Sequence, residues 1–420
     1  MKEGVDTVGT DADTVGLDTP PGLAVDRLLD DPQTRIIVCC GAGGVGKTTT
    51  AAALGVRAAG RGRKAVVLTI DPARRLAQSM GIDSLDNTPR RVAGVGADGG
   101  ELHAMMLDMK RTFDEIVEAH ADAERARAIL ANPFYQSLSA GFAGTQEYMA
   151  MEKLGQLRAR DDWDLIVVDT PPSRSALDFL DAPKRLGSFL DGKFIRVLMA
   201  PAKVGGRAGM KFLNVGMSMM TGTLSKLMGA SLLKDVQTFV AAMDTMFGGF
   251  RTRADATFRL LQAPGTAFLV VAAPEADALR EAAYFVERLA AESMPLAGLV
   301  LNRVHGSGAD QLSAERALAA AENLEEGGIV DQESGKAGLR DADSDTDDTT
   351  EVDAITAGLL RLHAERMQVI AREKRTRDRF TSLHPEVAVA EVAALPGDVH
   401  DLAGLRAIGE RLAAGVPAGA

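Results

Sequence analysis

The sequence has little cysteine and few aromatic residues: two cysteines, one tryptophan and 4% aromatic residues in 420. Cys39 and Cys40 are adjacent within an apolar run. Neighbouring residues on a strand point to opposite faces, so this pair is poorly placed for a disulfide and cannot chelate a metal as a Cys-x-x-Cys pair does. A chain so poor in cysteine is typical of a reducing compartment, and we expect a cytoplasmic protein.

Basic residues and long apolar runs are also in short supply. The chain has 47 Lys and Arg against 58 Asp and Glu, a net charge of −11 at pH 7. This charge argues against a general binder of nucleic acid or of anionic membranes, because both would repel it. The N-terminal segment has no basic region followed by an apolar run, so we expect no signal peptide. No stretch reaches 18 uncharged apolar residues, so we expect no membrane-spanning helix. We therefore expect a soluble protein.

Seven short apolar runs recur along the chain, and most of them are continuous rather than alternating. Continuous runs are typical of strands that are buried on both faces. Helical segments follow several of them, at residues 49–59 and 276–292 for example. This alternation predicts an α/β fold with a mainly parallel, doubly wound sheet that is covered by helices on both faces. The runs are RIIVCC (35–40), KAVVLT (64–69), LHAMML (102–107), DLIVVD (164–169), AFLVVAA (267–273), AGLVLN (297–302) and EVAVAEV (386–392).

Two intervals break this rhythm. Apolar residues at spacings of three and four, with eight of the 17 methionines between 199 and 246, predict a Met-rich pair of helices inserted into the sheet domain. Seven acidic residues between 341 and 353 predict a solvated, disordered loop. We expect the following division: a mobile tail (1–30), the sheet domain in three parts (31–190, 264–321 and 354–416), the helical insert (191–263) and the acidic loop (322–353).

The chemistry-bearing motif is GAGGVGKT at residues 41–48, which fits G-x-x-x-x-G-K-[ST] in full. An apolar strand precedes it and an unbroken helix follows, as a phosphate-binding loop requires. Lys47 would neutralise the β and γ phosphates of ATP, and the Thr48 hydroxyl would ligate Mg²⁺. Main-chain amides and the helix N-terminus would hold the phosphates of ATP or ADP. The residues expected at the nucleotide are Gly43, Gly44, Val45, Gly46, Lys47, Thr48 and Thr49.

Three polar residues follow other predicted strands. Asp169 ends the run WDLIVVD, where a carboxylate would hold Mg²⁺ or one of its water ligands. Asp71 comes just after the second run and would either activate the attacking water or cap a helix; its position leaves both roles open. Asn302 ends the sixth run, and its amide would either contact the adenine edge or form a turn.

The set GAGGVGKTTT, TIDPARRL, VVDTPP, VAAPEADALREA, LNRV and LPGDVHDLAGL, in this order, resembles the ArsA family of ATPases. That family includes the guided-entry factors that deliver tail-anchored membrane proteins. The resemblance extends from residue 35 to 412, and GTQEYMAMEKL (144–154) is similar to the bacterial branch. It implies a P-loop NTPase of the deviant Walker A class that forms dimers and binds Mg²⁺ between the P-loop and the Walker B strand.

The same resemblance implies roles for individual residues. Asp71 falls at the water-activating switch I position, so that Asp71, Lys47 and Asp169 would carry the catalysis. Thr48 and Asp169 fall at the metal-binding positions. Asn302 matches the adenine-contacting position, and Pro396, in the LPGDV loop, lies near the base.

This sequence departs from the family pattern in two places. The family P-loop begins Gly-Lys-Gly-Gly, and that first lysine reaches the partner's phosphates across the dimer; Ala42 stands there in this chain. Losing such a group typically costs orders of magnitude in rate. We therefore expect a heterodimer with a paralogue that keeps the lysine, in preference to a homodimer. In switch II, Ser173, Arg174, Ser175 and Ala176 replace Thr-Gly-His-Thr, and Arg174 either supplies the missing positive charge or is a surface arginine.

These features predict an ATP-driven conformational switch that handles a hydrophobic or membrane-protein client. The Met-rich insert would form the client groove, or else its apolar stripes are the packed seam of a helical hairpin. Two alternatives remain open. One is a positioning ATPase like ParA or MinD, which would need a basic surface or a basic amphipathic helix. The other is a regulatory, weakly active nucleotide-binding subunit, which Ala42 would explain.

Overall fold

The computed structural model describes residues 21–71, 75–96, 99–133, 135–136, 139, 145–171, 249, 252–333 and 346–414 of the chain. An eight-stranded sheet runs through these residues, with the strand order β3-β4-β2-β5-β1-β6-β7-β8. All pairings are parallel except that of β3 with β4. The strands are β1 (Ile36–Gly41), β2 (Lys64–Thr69), β3 (Arg90–Arg91), β4 (Glu101–Met106), β5 (Leu165–Asp169), β6 (Thr266–Ala272), β7 (Leu296–Val304) and β8 (Val389–Ala393).

Helices cover both faces of this sheet. They are α1 (Val25–Asp30), α2 (Lys47–Gly60), α3 (Arg75–Ser79), α4 (Met109–His120), α5 (Ala123–Leu130), α6 (Thr145–Arg160), α7 (Ala276–Ala291), α8 (Ala314–Glu333), α9 (Thr346–Leu383) and α10 (Leu402–Ala414). Residues 252–262 are helical as well. Within the described residues, no helix combines the length and the low polarity that a membrane span requires.

The predicted α/β fold with a mainly parallel, doubly wound sheet is confirmed. Each of the seven apolar runs is a strand, because long β-branched and aliphatic stretches fill both faces of a covered sheet. Cys39 and Cys40 are free and buried, and they join separate core clusters on the two faces, as the alternation of side chains along a strand requires. The exposed strand β3 was missed, because two residues leave no periodic signal.

The expected mobile tail over residues 1–30 is wrong for its last ten residues. Gly22 bridges to Val389 on β8, and α1 buries Val25 and Leu29. The α1 carboxylate of Asp26 accepts hydrogen bonds from Arg57 at 2.5 Å and 2.7 Å, which ties α1 to α2. Hydrophobic residues spaced four apart outweigh the polar composition of this segment. Residues 1–20 lie outside the described part of the chain.

The expected disordered loop over residues 322–353 is also wrong where the structure describes it. Helix α8 continues to Glu333, and α9 begins at Thr346. The two helices pack as an antiparallel hairpin with a seam of buried alanines, and small side chains make such a seam easy to overlook in the sequence. Negative charge in the first turns of α9 also stabilises the helix through its interaction with the helix dipole. Residues 334–345 lie outside the described residues.

Most of the predicted helical insert cannot be compared with the structure. The Met-rich stretch between 199 and 246, with its proposed client groove, lies outside the described residues. Only the end of the predicted insert, at 249 and 252–262, is described, and it is helical. This helical stretch packs beside α4 and α6, where the Arg253 guanidinium binds the buried Glu152 carboxylate at 2.9 Å.

Candidate functional site

The loop between β1 and α2 has the backbone form that phosphate binding requires. Gly41 has φ +147° and Gly46 has φ +96°, two conformations that residues with a side chain rarely adopt. A Cβ on Gly41 would come within 2.1 Å of the Val271 carbonyl oxygen, and one on Gly46 within 2.2 Å of Asn302 Nδ2. Both glycines are therefore needed for the loop to lie this close to β6 and β7. Gly43 and Gly44 are exposed at its tip.

Lys47 is the buried cation of this loop. Only 5% of the residue is exposed, and its Nζ donates to the Ala42 carbonyl oxygen at 2.7 Å. Burial lowers the pKa of the Lys47 ammonium, although the Asp169 carboxylate opposes that effect. The ammonium thus lies under the loop, where an anionic phosphate would compensate for its lost hydration. Gly43 and Gly44, on the exposed side of the same loop, keep their backbone accessible.

Three polar side chains meet at the carboxyl ends of adjacent strands, beside the P-loop helix. Asp169 ends β5, and its Oδ2 accepts hydrogen bonds from Thr48 Oγ1 and from Thr69 Oγ1, both at 2.8 Å. Asp169 Oδ1 is buried, and none of the described residues donates a hydrogen bond to it. A buried acceptor in this state costs free energy unless a ligand or water pairs with it. The predicted metal-binding residues Thr48 and Asp169 are therefore in direct contact.

The environment of Asp169 disfavours its charged form. Burial raises the pKa of the Asp169 carboxyl to about 6, while the hydrogen bonds from Thr48 and Thr69 and the charge of Lys47 act in the opposite direction. The carboxyl is fully buried. A divalent cation at this carboxylate would supply the positive charge that the site lacks. The site is thus suited to a metal ion rather than to an isolated carboxylate.

Asp71 follows β2 at the same edge of the sheet and is half-buried. Its backbone N–H donates to Thr69 Oγ1 at 3.2 Å. The charge of its carboxylate raises the pKa values of both Lys47 and Asp169. Asp71 therefore lies near the predicted metal-binding and phosphate-binding residues. Its predicted role in water activation stays a prediction.

Asn302 lies at the carboxyl end of β7 and fastens the P-loop to that strand. Its Nδ2 donates to the Val45 carbonyl oxygen at 2.8 Å, and the residue is buried. The donor half of the amide thus has a structural task. The predicted adenine contact of Asn302 stays a prediction, as does that of Pro396, which lies exposed in the loop after β8.

Thr69 is a site residue that the sequence analysis missed. It pairs with Asp169 in the register of β2 and β5, and its hydroxyl holds both the Asp169 carboxylate and the Asp71 backbone. The sequence shows a threonine at the end of a strand, but the neighbour of that strand is known only once the sheet order is known. The switch II residues Ser173, Arg174, Ser175 and Ala176 lie outside the described residues.

A family model described as anion-transporting ATPase matches residues 34–326, which is more than half of the chain. ATPase GET3 of Podospora anserina is 25% identical over 302 residues, which cover 70% of this chain and 81% of that protein.

Other relatives align over shorter stretches. ATPase GET3 of Malassezia globosa is 29% identical over 175 residues, which cover 42% of this chain and 50% of that protein. The putative arsenical pump-driving ATPase of Halobacterium salinarum is 29% identical over 208 residues, which cover 47% of this chain and 31% of that protein. The chain thus spans half or less of the length of these two relatives.

Proposed function

This chain belongs to the anion-transporting ATPase family, and we propose that it is an ATP-driven switch that couples ATP binding and hydrolysis to the handling of a hydrophobic or membrane-protein client. One observation carries the proposal. A buried carboxylate with an open oxygen, Asp169, contacts the P-loop threonine Thr48 and lies beside the buried ammonium of Lys47. That combination suits the binding of a nucleoside triphosphate together with a divalent metal ion.

The residues present fit Mg²⁺. Oxygen ligands and few protein contacts are what Mg²⁺ prefers, and Thr48 Oγ1 with the open Asp169 Oδ1 would hold the ion or its water ligands. Bound there, the ion neutralises negative charge on the phosphate oxygens. Thr69 keeps the Asp169 carboxylate in one orientation through its 2.8 Å hydrogen bond. The main-chain amides of Gly43 to Thr49 would bind the phosphates.

Asp71 is the proposed general base or positioning group for the attacking water. It follows the strand next to Asp169, so its carboxylate faces the edge of the sheet at which Lys47 lies. A carboxylate at this place accepts a proton or a hydrogen bond from water. Lys47 would stabilise the negative charge on the transferred phosphate. Asn302 and Pro396 are the proposed contacts of the adenine ring.

Ala42 limits what the isolated chain does. The Ala42 side chain carries no charge, so position 42 brings no second cation to the phosphates. The Ala42 carbonyl oxygen accepts a hydrogen bond from the Lys47 ammonium. We infer slow hydrolysis by the chain alone and fast hydrolysis in a heterodimer with a paralogue that supplies a lysine at this position. A weakly active regulatory subunit is the second candidate function, and Ala42 is the observation that favours it.

Steady-state phosphate release from the full chain tests this proposal. We expect Ala42→Lys to raise the rate by at least about tenfold, since one transition-state cation is worth several kcal/mol. Asp71→Asn in that background should return the rate to its starting value. Nucleotide binding by each variant, measured in parallel, shows that the site is intact. Fast hydrolysis by the unaltered chain would contradict the role of Ala42, and a fully active Asp71→Asn variant would contradict the role of Asp71.

A further inference from the structure

Helix α9 carries large apolar side chains on its outer face. Val352, Ile355, Leu359, Leu362 and Val369, which we name the apolar stripe, are between 38% and 63% exposed. Their spacings of three, four, three and seven residues place them on one side of the helix, at the a and d positions of a heptad, and Arg366 occupies the a position between Leu362 and Val369. Five large apolar residues on one helix face, four of them consecutive along it, are more than scattered surface residues would provide.

Helices α8 and α9 pack together without burying these residues. The buried side chains that the structure describes in α8, and in α9 before Arg366, are alanines: Ala317, Ala321, Ala357 and Ala364. The small side chains let the two helices approach closely, and Arg361 on α9 forms an ion pair with Glu325 on α8, in which Nη2 donates a hydrogen bond of 2.7 Å. A hairpin that needed large apolar side chains for its own stability would bury them. The stripe is therefore available for a contact outside the hairpin.

The hairpin extends beyond the carboxyl end of β7. Two contacts fix its base there: Arg366 Nε donates to the Gly306 carbonyl oxygen at 2.7 Å, and the His305 backbone N–H donates to Glu373 at 3.0 Å. The part of α9 before Arg366 runs away from the sheet beside α8. With 20 residues in α8, the hairpin is about 30 Å long at the usual helical rise. It presents most of the stripe away from the sheet.

The charges along α9 have opposite signs at its two ends. Residues 347–353 contain four acidic residues and no basic one, whereas residues 366–379 contain six basic and two acidic residues. Two copies of α9 side by side in the same direction would place like charges together. Two antiparallel copies would place each acidic end against a basic end.

We propose that the apolar stripe binds the stripe of a second copy of this chain, in an antiparallel two-helix contact. A two-fold axis between Leu359 and Leu362 would place Val352 opposite Val369. The same register would bring Glu351 of each copy to Arg372 of the other, at the flanking positions that form ion pairs in such assemblies. Both Glu351 and Arg372 are exposed in the chain and available for this contact.

This contact goes beyond the proposed ATPase function and does not depend on it. Strands β6 and β7 separate the P-loop strand β1 from the edge strand β8, which follows the hairpin. Pairing through the stripes would thus leave the nucleotide site of each copy available to a lysine-bearing partner. The contact is therefore tested without nucleotide, so that its failure is distinct from a failure of the ATPase proposal.

Analytical ultracentrifugation of the full chain, without nucleotide, measures the pairing directly. We expect a reversible dimer whose dissociation constant rises at least tenfold in the variant Leu359→Glu with Leu362→Glu. The matched control, Ala354→Glu with Gln368→Glu, adds the same charges at exposed positions of α9 outside the stripe. This control should dimerise like the unaltered chain. Equal dimerisation of the stripe variant and the unaltered chain would overturn the proposal. A chain that stays monomeric at all concentrations, with a lower melting temperature for the stripe variant, would show that another segment of the same chain covers the stripe and would also overturn it.

Disulfide trapping tests the orientation. Native Cys39 and Cys40 are 0% and 1% exposed, so introduced cysteines will react selectively. A mixture of the Val352→Cys and Val369→Cys chains should form cross-linked dimers on mild oxidation, and either chain alone should not. Cross-linking of Val352→Cys with itself would indicate a parallel contact and overturn the antiparallel proposal. A mixture that forms no cross-link, although ultracentrifugation shows it to be dimeric, would overturn the proposed register.

Discussion

The proposed nucleotide site and the α8–α9 hairpin are built in opposite ways. At the site, polar groups face one another: the buried residues Lys47, Thr69 and Asp169 and the half-buried Thr48 lie together at the edge of the sheet. In the hairpin, small alanines are buried and the large apolar side chains of the apolar stripe are exposed. Each region thus carries something that its own chain leaves uncompensated. At the site it is charge, and on the hairpin it is apolar surface.

The difference indicates two kinds of ligand. Buried charge that lacks a complement calls for an ion or a phosphate, because desolvation makes it costly. Exposed apolar area calls for another protein surface, because its removal from water stabilises the contact. Four tests of this comparison follow, in order of decreasing expected effect.

Removal of the buried ammonium should have the largest effect. We expect Lys47→Ala to weaken the binding of ATP with Mg²⁺ by about 2–4 kcal/mol, or roughly 30- to 1,000-fold, since a charged contact to phosphate is lost. Lys110, an exposed lysine on α4, provides the control as Lys110→Ala. Isothermal titration calorimetry measures both. Equal affinity for Lys47→Ala and the unaltered chain would contradict the role of Lys47.

Neutralisation of Asp169 should stabilise the metal-free protein. Burial raises the pKa of this carboxyl from 3.8 to about 6, so its contribution to the free energy of unfolding is largest below pH 4 and is lost as the pH rises through 6. Asp169→Asn should therefore raise the free energy of unfolding by about 3 kcal/mol at pH 8, and by little at pH 4. Denaturant unfolding in EDTA at several pH values measures this difference. A gain that is independent of pH would show that the carboxyl is not the cause.

The two faces of α9 should respond differently to substitution. Ala364→Leu overpacks the alanine seam and should lower the free energy of unfolding by about 1–3 kcal/mol. Leu359→Ala removes an exposed side chain and should change it by less than about 0.5 kcal/mol in the dilute, monomeric protein. Thermal denaturation at low concentration compares the two variants. A larger loss for Leu359→Ala would mean that the stripe is part of the chain's own core.

Of the substitutions that should weaken a contact, that of Asn302 should have the smallest effect, and it separates two roles. The hydrogen bond from its amide to the Val45 carbonyl is worth about 1 kcal/mol. If Asn302 only holds the P-loop in place, Asn302→Ala will lower the affinities for ATP and for GTP by the same small factor. If it also contacts the adenine ring, as we expect, the preference for ATP over GTP will fall. Competition binding with the two nucleotides measures this ratio.

The parts of this molecule that could be predicted from sequence are those set by local geometry. GAGGVGKT needs a strand, a glycine-rich loop and a helix in direct succession, so the P-loop and the residues Lys47 and Thr48 follow from a single stretch of chain. The continuous apolar runs likewise indicate buried parallel strands, and each of them is a strand.

The parts that could not be predicted depend on contacts between distant segments. Thr69 joins Asp169 only because β2 lies next to β5. The hairpin was missed because acidic residues dominate the composition near residue 345, whereas its stability comes from a few alanines spaced along two helices. Helix α1 contacts α2 and α10, and these contacts with distant segments, which accompany the burial of Val25 and Leu29, are not visible in the sequence near the N-terminus.

The binding of nucleotide to the pure full-length chain is the most direct test of the central claim. Titration calorimetry with ADP and with a non-hydrolysable ATP analogue, both with Mg²⁺, should show one nucleotide bound per chain with micromolar affinity. EDTA should weaken the binding of the triphosphate far more than the binding of the diphosphate. An absence of any binding heat at several temperatures, together with no nucleotide retained on gel filtration, would contradict the account.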